Sequence, residues 1–210
     1  MTDDTLDPAI VRDEADLRAG FGPVRPMADE KVLDHLDAYA LAFIALSPFL
    51  VLASAGADGT MDASPRGDAP GFVAAPDAHT LVIPDRRGNN RLDSFANILT
   101  HPEVGLIFLV PGIAETLRVN GPAAITRDPA LLTPLAAQNA VPTIGLVVRV
   151  REAMFHCGKA VIRSRLWDPE RLVARDTFPS LGRILADQTK AITPEEAEVS
   201  IAEAYRTRLY

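Results

Sequence analysis

TLVIPDRRGNNRLDSFANILTHPEVGLIFLVPG, residues 80–112, changes character several times in one stretch, and those changes decide the fold. Thr80–Pro84 is a short apolar run with the composition of a β-strand. Arg86-Arg87-Gly88-Asn89-Asn90-Arg91 then packs three arginines into a turn. Asn89 or Asn90 is suited to cap a helix over 91–100, because a short polar side chain accepts from the first free amides. His101-Pro102 closes that helix, since proline steers the preceding residue away from helical angles. Val104–Val110 is a nearly continuous apolar strand, expected to be buried on both faces, and Pro111-Gly112 turns the chain.

The same reading extends outward. Upstream, Phe49–Ala55 is a strand, Gly56-Ala57-Asp58-Gly59 a tight turn, and Met61–Ser64 its return strand. Downstream, Thr116–Thr126 and Ile144–Phe155 supply two longer strands. In the second, Arg149 and Arg151 share one face while Val148 and Val150 share the other, as in a half-exposed barrel strand. Val32, Leu33, Leu36, Tyr39, Ala40 and Phe43 recur at helical spacing, which predicts an amphipathic helix over 29–46 ended by Ser47-Pro48. Residues 179–190 and 194–209 also read as helices. About six strands with short turns make a mainly β chain with α decoration, a small barrel with helices at its ends. Three parts are expected: an extended arm over 1–28, the barrel domain over 29–170, and a helical extension over 171–210 that packs on the barrel or on a dimer.

Bulk properties bound the function. At 210 residues and 48% hydrophobic content the chain has the material for one sizeable core. The net charge is −7, and residues 1–30 carry eight acids against three arginines. An acidic chain argues against nonspecific nucleic-acid or membrane binding, which needs a basic face. No apolar run approaches the roughly 20 residues that span a bilayer. The acidic beginning lacks the pattern of a signal peptide, and a lone cysteine makes no internal disulfide, so a cytoplasmic setting is expected.

Against that acidic background the arginine-rich turn stands out. A helix start offers unpaired amides and partial positive charge, arginine adds a planar fork, and glycine permits close backbone approach. Together they suit a phosphate ester; the alternative is a solvated basic turn with asparagine caps. Ser64-Pro65-Arg66-Gly67-Asp68 adds a hydroxyl and a guanidinium two residues apart, hence on one side of an extended backbone. The competing reading is an Arg66–Asp68 surface pair of little energy. Arg-Gly-Asp is only a three-letter match to an adhesion motif and decides nothing.

Other candidates carry less. His156 and Cys157 are neighbours, so on a strand they face opposite sides and form no nucleophile–base pair. Cys157 is expected to be a small buried residue. His35, His79, His101 and His156 lack metal-ligand spacing, and His101 is expected to serve the helix end. Trp167 suits either stacking on a flat ligand or core packing, and Arg118 is expected to assist the site or to pair with Glu115 or Asp128. No hydrolase, P-loop or Rossmann signature occurs.

The succession DGTMDASPRGDAPGFV, the stretch at residues 80–112 and ETLRVNGPAAIT resembles the pyridoxamine 5'-phosphate oxidase-like, FMN-binding split-barrel proteins over roughly residues 45–130, with a weaker echo at FHCGKAVIRSRLWDP, residues 155–169. The resemblance implies a six-stranded split barrel, a homodimer, and FMN in the groove between subunits. By matching position it places Ser64, Pro65 and Arg66 on the strand that meets the flavin and its ribityl-phosphate. It makes Asn90 and Arg91 the pair that grips the phosphate, beside Arg87 in the same turn. Thr116 becomes a polar contact to the flavin, and Phe155 and Arg165 become contributions of the second subunit. The sequence departs from the vitamin B6 oxidases themselves. Arg66 is followed by Gly-Asp-Ala-Pro-Gly with no lysine, and no Tyr, Arg and Ser set for a substrate phosphate lies around 131–141. The expectation is therefore an FMN-dependent oxidoreductase acting on another small molecule, in which the flavin performs the chemistry and no catalytic side chain is assigned. The alternatives are a non-catalytic carrier of flavin, deazaflavin or haem, and a dimerisation domain without ligand.

Overall fold

The structure, a computed structural model, describes residues 10–210. The chain divides into two compact units, Met1–Val32 and Leu33–Tyr210. In the first, α1 (Glu14–Ala19) is capped by Asp13, whose Oδ1 accepts the Asp16 amide at 2.8 Å. A short α2 (Pro26–Glu30) follows, and neither helix buries a residue. The arm predicted over 1–28 thus lies outside the described residues in its first nine positions and carries two helical turns in the rest.

The helix predicted over 29–46 is shorter than its periodicity suggests. Leu33 forms a two-way bridge with Ala153, its amide donating at 3.0 Å and its carbonyl accepting at 2.7 Å. The chain there is extended, and α3 (Ala38–Leu46) begins only after Asp37, whose Oδ1 accepts the Ala40 amide at 2.8 Å. A sheet bond and an aspartate cap outweigh the apolar repeat. Leu36, Ala40, Phe43 and Ile44 are buried, whereas Val32 and Tyr39 are exposed.

The second unit is a mainly antiparallel β-structure with helices, a split barrel. Its strands are β1 (Phe49–Ala55), β2 (Met61–Gly67), β3 (Ala74–Asp77), β4 (Thr80–Pro84), β5 (Glu103–Leu109), β6 (Thr116–Thr126), β7 (Gly145–Arg149) and β8 (Glu152–His156). They are ordered β2-β1-β5-β6-β7-β4-β3, with β8 also on β6, and the end strands β2 and β3 do not pair. All six expected strands are present. Ala74–Asp77 is an addition, and residues 144–155 are divided into β7 and β8.

The division has a clear cause. Both halves run antiparallel to β6, β7 against 123–126 and β8 against 116–120. Between them Val150 and Arg151 form a bulge in which the Arg151 amide donates to Asn120 at 2.9 Å. The bulge flips the inward phase: Leu146, Val148 and Val150 are buried, and then Ala153. Gly121 faces it so closely that a Cβ there would lie 1.9 Å from the Arg149 carbonyl oxygen. On the outer face Arg149 donates to Thr80 and Arg151 forks onto Glu103.

One core fills the barrel: Leu50 and Leu52 of β1, Leu106 and Phe108 of β5, Leu117 and Val119 of β6, Leu146 and Val148 of β7. β5 is not buried on both faces as its composition suggested. Val104, Leu106 and Phe108 are fully inside, while Gly105, Ile107 and Leu109 are half-buried. Helix α4 (Asp93–Thr100) crosses the sheet with Phe95 and Ile98 sunk into this core, which fixes where its first turn stands. After α5 (Pro129–Leu132) and α6 (Lys159–Ser164), α7 (Leu181–Thr189) and α8 (Pro194–Thr207) pack against each other. Gly182 permits that crossing, since a Cβ would lie 2.8 Å from the Glu198 backbone. No helix of the described residues is long and apolar enough to cross a membrane.

Candidate functional site

Strand β2 alternates, so Asp62, Ser64 and Arg66 turn toward one side together. The turn between β4 and α4 and the first turn of α4 close over that side, enclosing a cavity of about 270 Å³. Asp85, Gly88, Asn89, Asn90 and Arg91 line it from the turn, and Ser94 from the helix. Of the predicted residues, the structure brings Ser64, Arg66, Asn90 and Arg91 together here.

Arg66 is the centre of this arrangement. Its Nη1 donates to Ser64 Oγ at 2.8 Å and to the Pro65 carbonyl at 3.0 Å, and its Nη2 to Ser94 Oγ at 3.3 Å. Ser94 in turn donates to Asp62 Oδ2 at 2.6 Å. Burial lowers the Arg66 pKa, and the charges of Asp85 and Asp62 only partly offset it. Arg66 and Asp68 do not pair. Asp68 instead accepts Arg86 Nε at 2.6 Å, and Arg86 also donates to the Leu135 carbonyl at 2.9 Å. The Tyr210 hydroxyl donates to the other Asp68 oxygen at 2.7 Å, and its ring lies 5.8 Å from the Arg86 guanidinium. Arg86, one of the three clustered arginines, is thus a structural anchor for the chain end.

The helix start differs from expectation. α4 begins at Asp93, and the cap position is Leu92, left-handed at φ 59° and offering no side-chain cap. Asn90 is also left-handed at φ 60°, while the Asn89 oxygen accepts the Arg91 amide at 3.1 Å. The asparagines shape the turn instead of capping the helix. Left-handed geometry at leucine costs roughly 1–2 kcal/mol. The first-turn residues Asp93, Ser94 and Phe95 line the cavity and no side chain caps their amides, an arrangement that suits an anion.

The cavity is not simply cationic. Asp62, Asp85 and Asp93 line it with Arg66, Arg86 and Arg91. Arg91 pairs with Asp93 at 2.8 Å on the exposed rim. Asp85 is pushed above its ordinary pKa by burial, against the opposing pull of Arg66 and Arg86. Among the described residues, Arg66 is the lining arginine with no carboxylate at ion-pair distance. Such a mixed lining has donors for a phosphate and acceptors for hydroxyl groups.

The remaining predicted residues lie elsewhere. Pro65 is exposed on β2, and Arg87 lines adjoining cavities of the same turn. The register Arg66–Leu50–Phe108–Leu117 puts Thr116 three strands away, roughly 14 Å across the sheet. Thr116 pairs with His156 and stands beside Phe155, whose ring meets Phe43 edge-on at 5.4 Å. Arg165, left-handed at φ 53°, is tied to Asp168 at 2.6 Å and Glu170 at 3.0 Å. A single chain therefore does not bring Thr116, Phe155 or Arg165 to the Arg66 cavity. Arg118 pairs with Glu152 rather than Glu115 or Asp128, Cys157 is exposed rather than buried, and Trp167 Nε1 donates to the Ile113 carbonyl at 2.8 Å. The His101 amide closes α4 on Asn97 at 2.7 Å. Sequence reasoning missed Asp62, Asp85 and Ser94; Asp62 was findable, two residues before Ser64 on the same strand face.

A family model described as pyridoxamine 5'-phosphate oxidase matches residues 36–157, more than half of the chain and all eight strands. Among solved structures, HupZ of Group A Streptococcus is 16% identical with a TM-score of 0.46, covering 56% of this chain and 90% of that one. General Stress Protein 26 of Bacillus anthracis is 14% identical at a TM-score of 0.41, covering 55% and 89%. A conserved protein of Mycobacterium tuberculosis is 14% identical at 0.44, covering 68% and 94%. No curated protein matches the chain.

Proposed function

This chain belongs to the pyridoxamine 5'-phosphate oxidase family, and on that premise we propose that it binds FMN and acts as an FMN-dependent oxidoreductase on a small molecule other than a vitamin B6 phosphate. The observation that carries the reading is the Arg66 cavity: a guanidinium without an ion pair, a strained turn and an uncapped helix start all line one space of about 270 Å³. Arg66 and the amides of Asp93–Phe95 hold the cofactor phosphate, Arg91 closes the rim, and the Asp62 and Asp85 side accepts hydroxyl groups of a sugar-like chain.

When bound, the flavin supplies hydride chemistry at its ring. The chain's own residues bind and orient. Ser64 and Ser94 fix the Arg66 plane, and the buried Phe95 and Ile98 keep the helix start in register with β2. Thr116 and Phe155 stand on the paired strands β6 and β8, and Arg165 follows α6 farther along the chain. The family resemblance implies a homodimer in which these residues would serve the cofactor of the other subunit, and their distance from the Arg66 cavity within one chain is compatible with that role. The single thiol, Cys157, is exposed, and a reducing cytoplasmic setting suits it.

The test is a visible spectrum of the purified protein with mass identification of the released ligand. Oxidised flavin bands and FMN are expected, with bleaching by NADH or NADPH. Arg91→Ala should leave the fold intact and release FMN. An Arg91→Ala protein that keeps its colour and stoichiometry refutes the part given to Arg91, and a flavin that no nicotinamide donor or substrate bleaches refutes the oxidoreductase.

A further inference from the structure

The turn that lines the Arg66 cavity borders a second cavity, of about 570 Å³, lined by Arg87, Gly88, Asn89 and Asn90 and by the end of the chain, including Tyr205, Arg208 and Leu209. Its electrostatics differ sharply from the first. Arg87 and Arg208 are both exposed to it, and no carboxylate lines it. Among the described residues neither guanidinium has an ion pair or a hydrogen-bond partner. Two guanidinium groups without an ion pair line one space in a chain of net charge −7, so the local field there is positive. An anion in that space would have both as charged donors.

The chain end is also fixed, so Arg208 is not a loose tail cation. Its amide donates to Ala204 at 2.9 Å, completing α8. Two residues on, Tyr210 is tied to Asp68 at 2.7 Å and stacked over Arg86. Arg208 is held between these two points, facing the Arg87–Asn90 turn across the cavity.

We propose that Arg208 and Arg87 form a second oxyanion site, distinct from the cofactor phosphate cradle, that holds the phosphate or carboxylate group of the small molecule meeting the cofactor. The Tyr205 ring and Leu209, both exposed at the same cavity, give that molecule an apolar wall. Its role beside the cofactor rests on the FMN reading; the site itself does not.

The experiment is calorimetric titration of the full chain, FMN-loaded, with inorganic pyrophosphate and separately with citrate. One saturable site is expected. Arg208→Ala should keep its FMN content and raise the dissociation constant about tenfold, the size of one charge-assisted contact at a half-open site, with Arg208→Lys recovering part of the loss. Tighter pyrophosphate identifies a phosphate ligand, and tighter citrate a polycarboxylate. The absence of saturable binding, or an Arg208→Ala affinity equal to the parent's, overturns the proposal. A protein that carries no FMN fails the cofactor reading alone, since the same titration on protein as isolated still reports on Arg208.

Discussion

Replacing Arg66 by alanine tests the cofactor site most directly, and the structure sets the size of the effect. A guanidinium has five N–H groups. Three are engaged within the chain, two from Nη1 on Ser64 and Pro65 and one from Nη2 on Ser94. Nε–H and one Nη2–H remain for a ligand. Each bond to a charged partner is worth about 1.5–3 kcal/mol, and a half-open cavity argues for the low end, so two contribute about 3 kcal/mol. The expected result is an FMN dissociation constant raised on the order of 100-fold. Arg66→Lys keeps the charge but loses the fork and should fall between, roughly tenfold weaker. Stability should change little, because Ser94 keeps Asp62 as its acceptor and the exposed Pro65 carbonyl turns to water. Quenching of FMN fluorescence on titration measures the constants, and circular dichroism checks the fold. An Arg66→Ala protein that folds and binds FMN within threefold of the parent would show that the phosphate sits elsewhere.

Three further outcomes follow from the same contacts. Asp85 has a folded pKa above its ordinary 3.8 because of burial, so the native state holds its proton longer and stability falls as pH rises through that window; Asp85→Asn should remove the slope, gaining urea resistance over the parent toward neutral pH but not below 3.8, and parallel curves would contradict this. Asp68→Ala should cost about 3 kcal/mol in thermal or denaturant unfolding, since the 5%-exposed carboxylate is replaced and the 17%-exposed Arg86 is left unpaired. Burial pushes the Asp68 pKa up, but bonds from Tyr210, the Ala69 amide and Arg86 outweigh it; that stabilisation is present above 3.8 and should fade as pH drops through the lower folded value, and a pH-independent loss in the variant would argue against it. Gly121→Ala, which drives a Cβ into the Arg149 carbonyl, should destabilise by about 3 kcal/mol or more and broaden unfolding, whereas a neutral effect would mean the bulge relaxes freely.

The order of elements was legible in the sequence because it depends on short-range chemistry. Alternating and continuous apolar runs gave β1, β4, β5 and β6, His101-Pro102 gave the end of α4, and the Arg86–Arg91 run marked the turn beside which the cavity forms. Ser64 and Arg66 were paired by strand period alone. What the sequence could not decide are choices between competing partners far apart in the chain. Asp68 meets Arg86 rather than Arg66, and its other oxygen accepts from a tyrosine 142 positions later. Whether residues 33–36 are helical depends on an open edge at Ala153, and whether 144–155 is one strand or two depends on how β6 passes Gly121. The composition of β5 suggested burial on both faces, but the fold seals only the face of Val104, Leu106 and Phe108. Local pattern fixes which backbone geometry each segment favours; long-range packing and charge pairing select among arrangements of similar local energy, and the contents of the Arg66 cavity are such a selection.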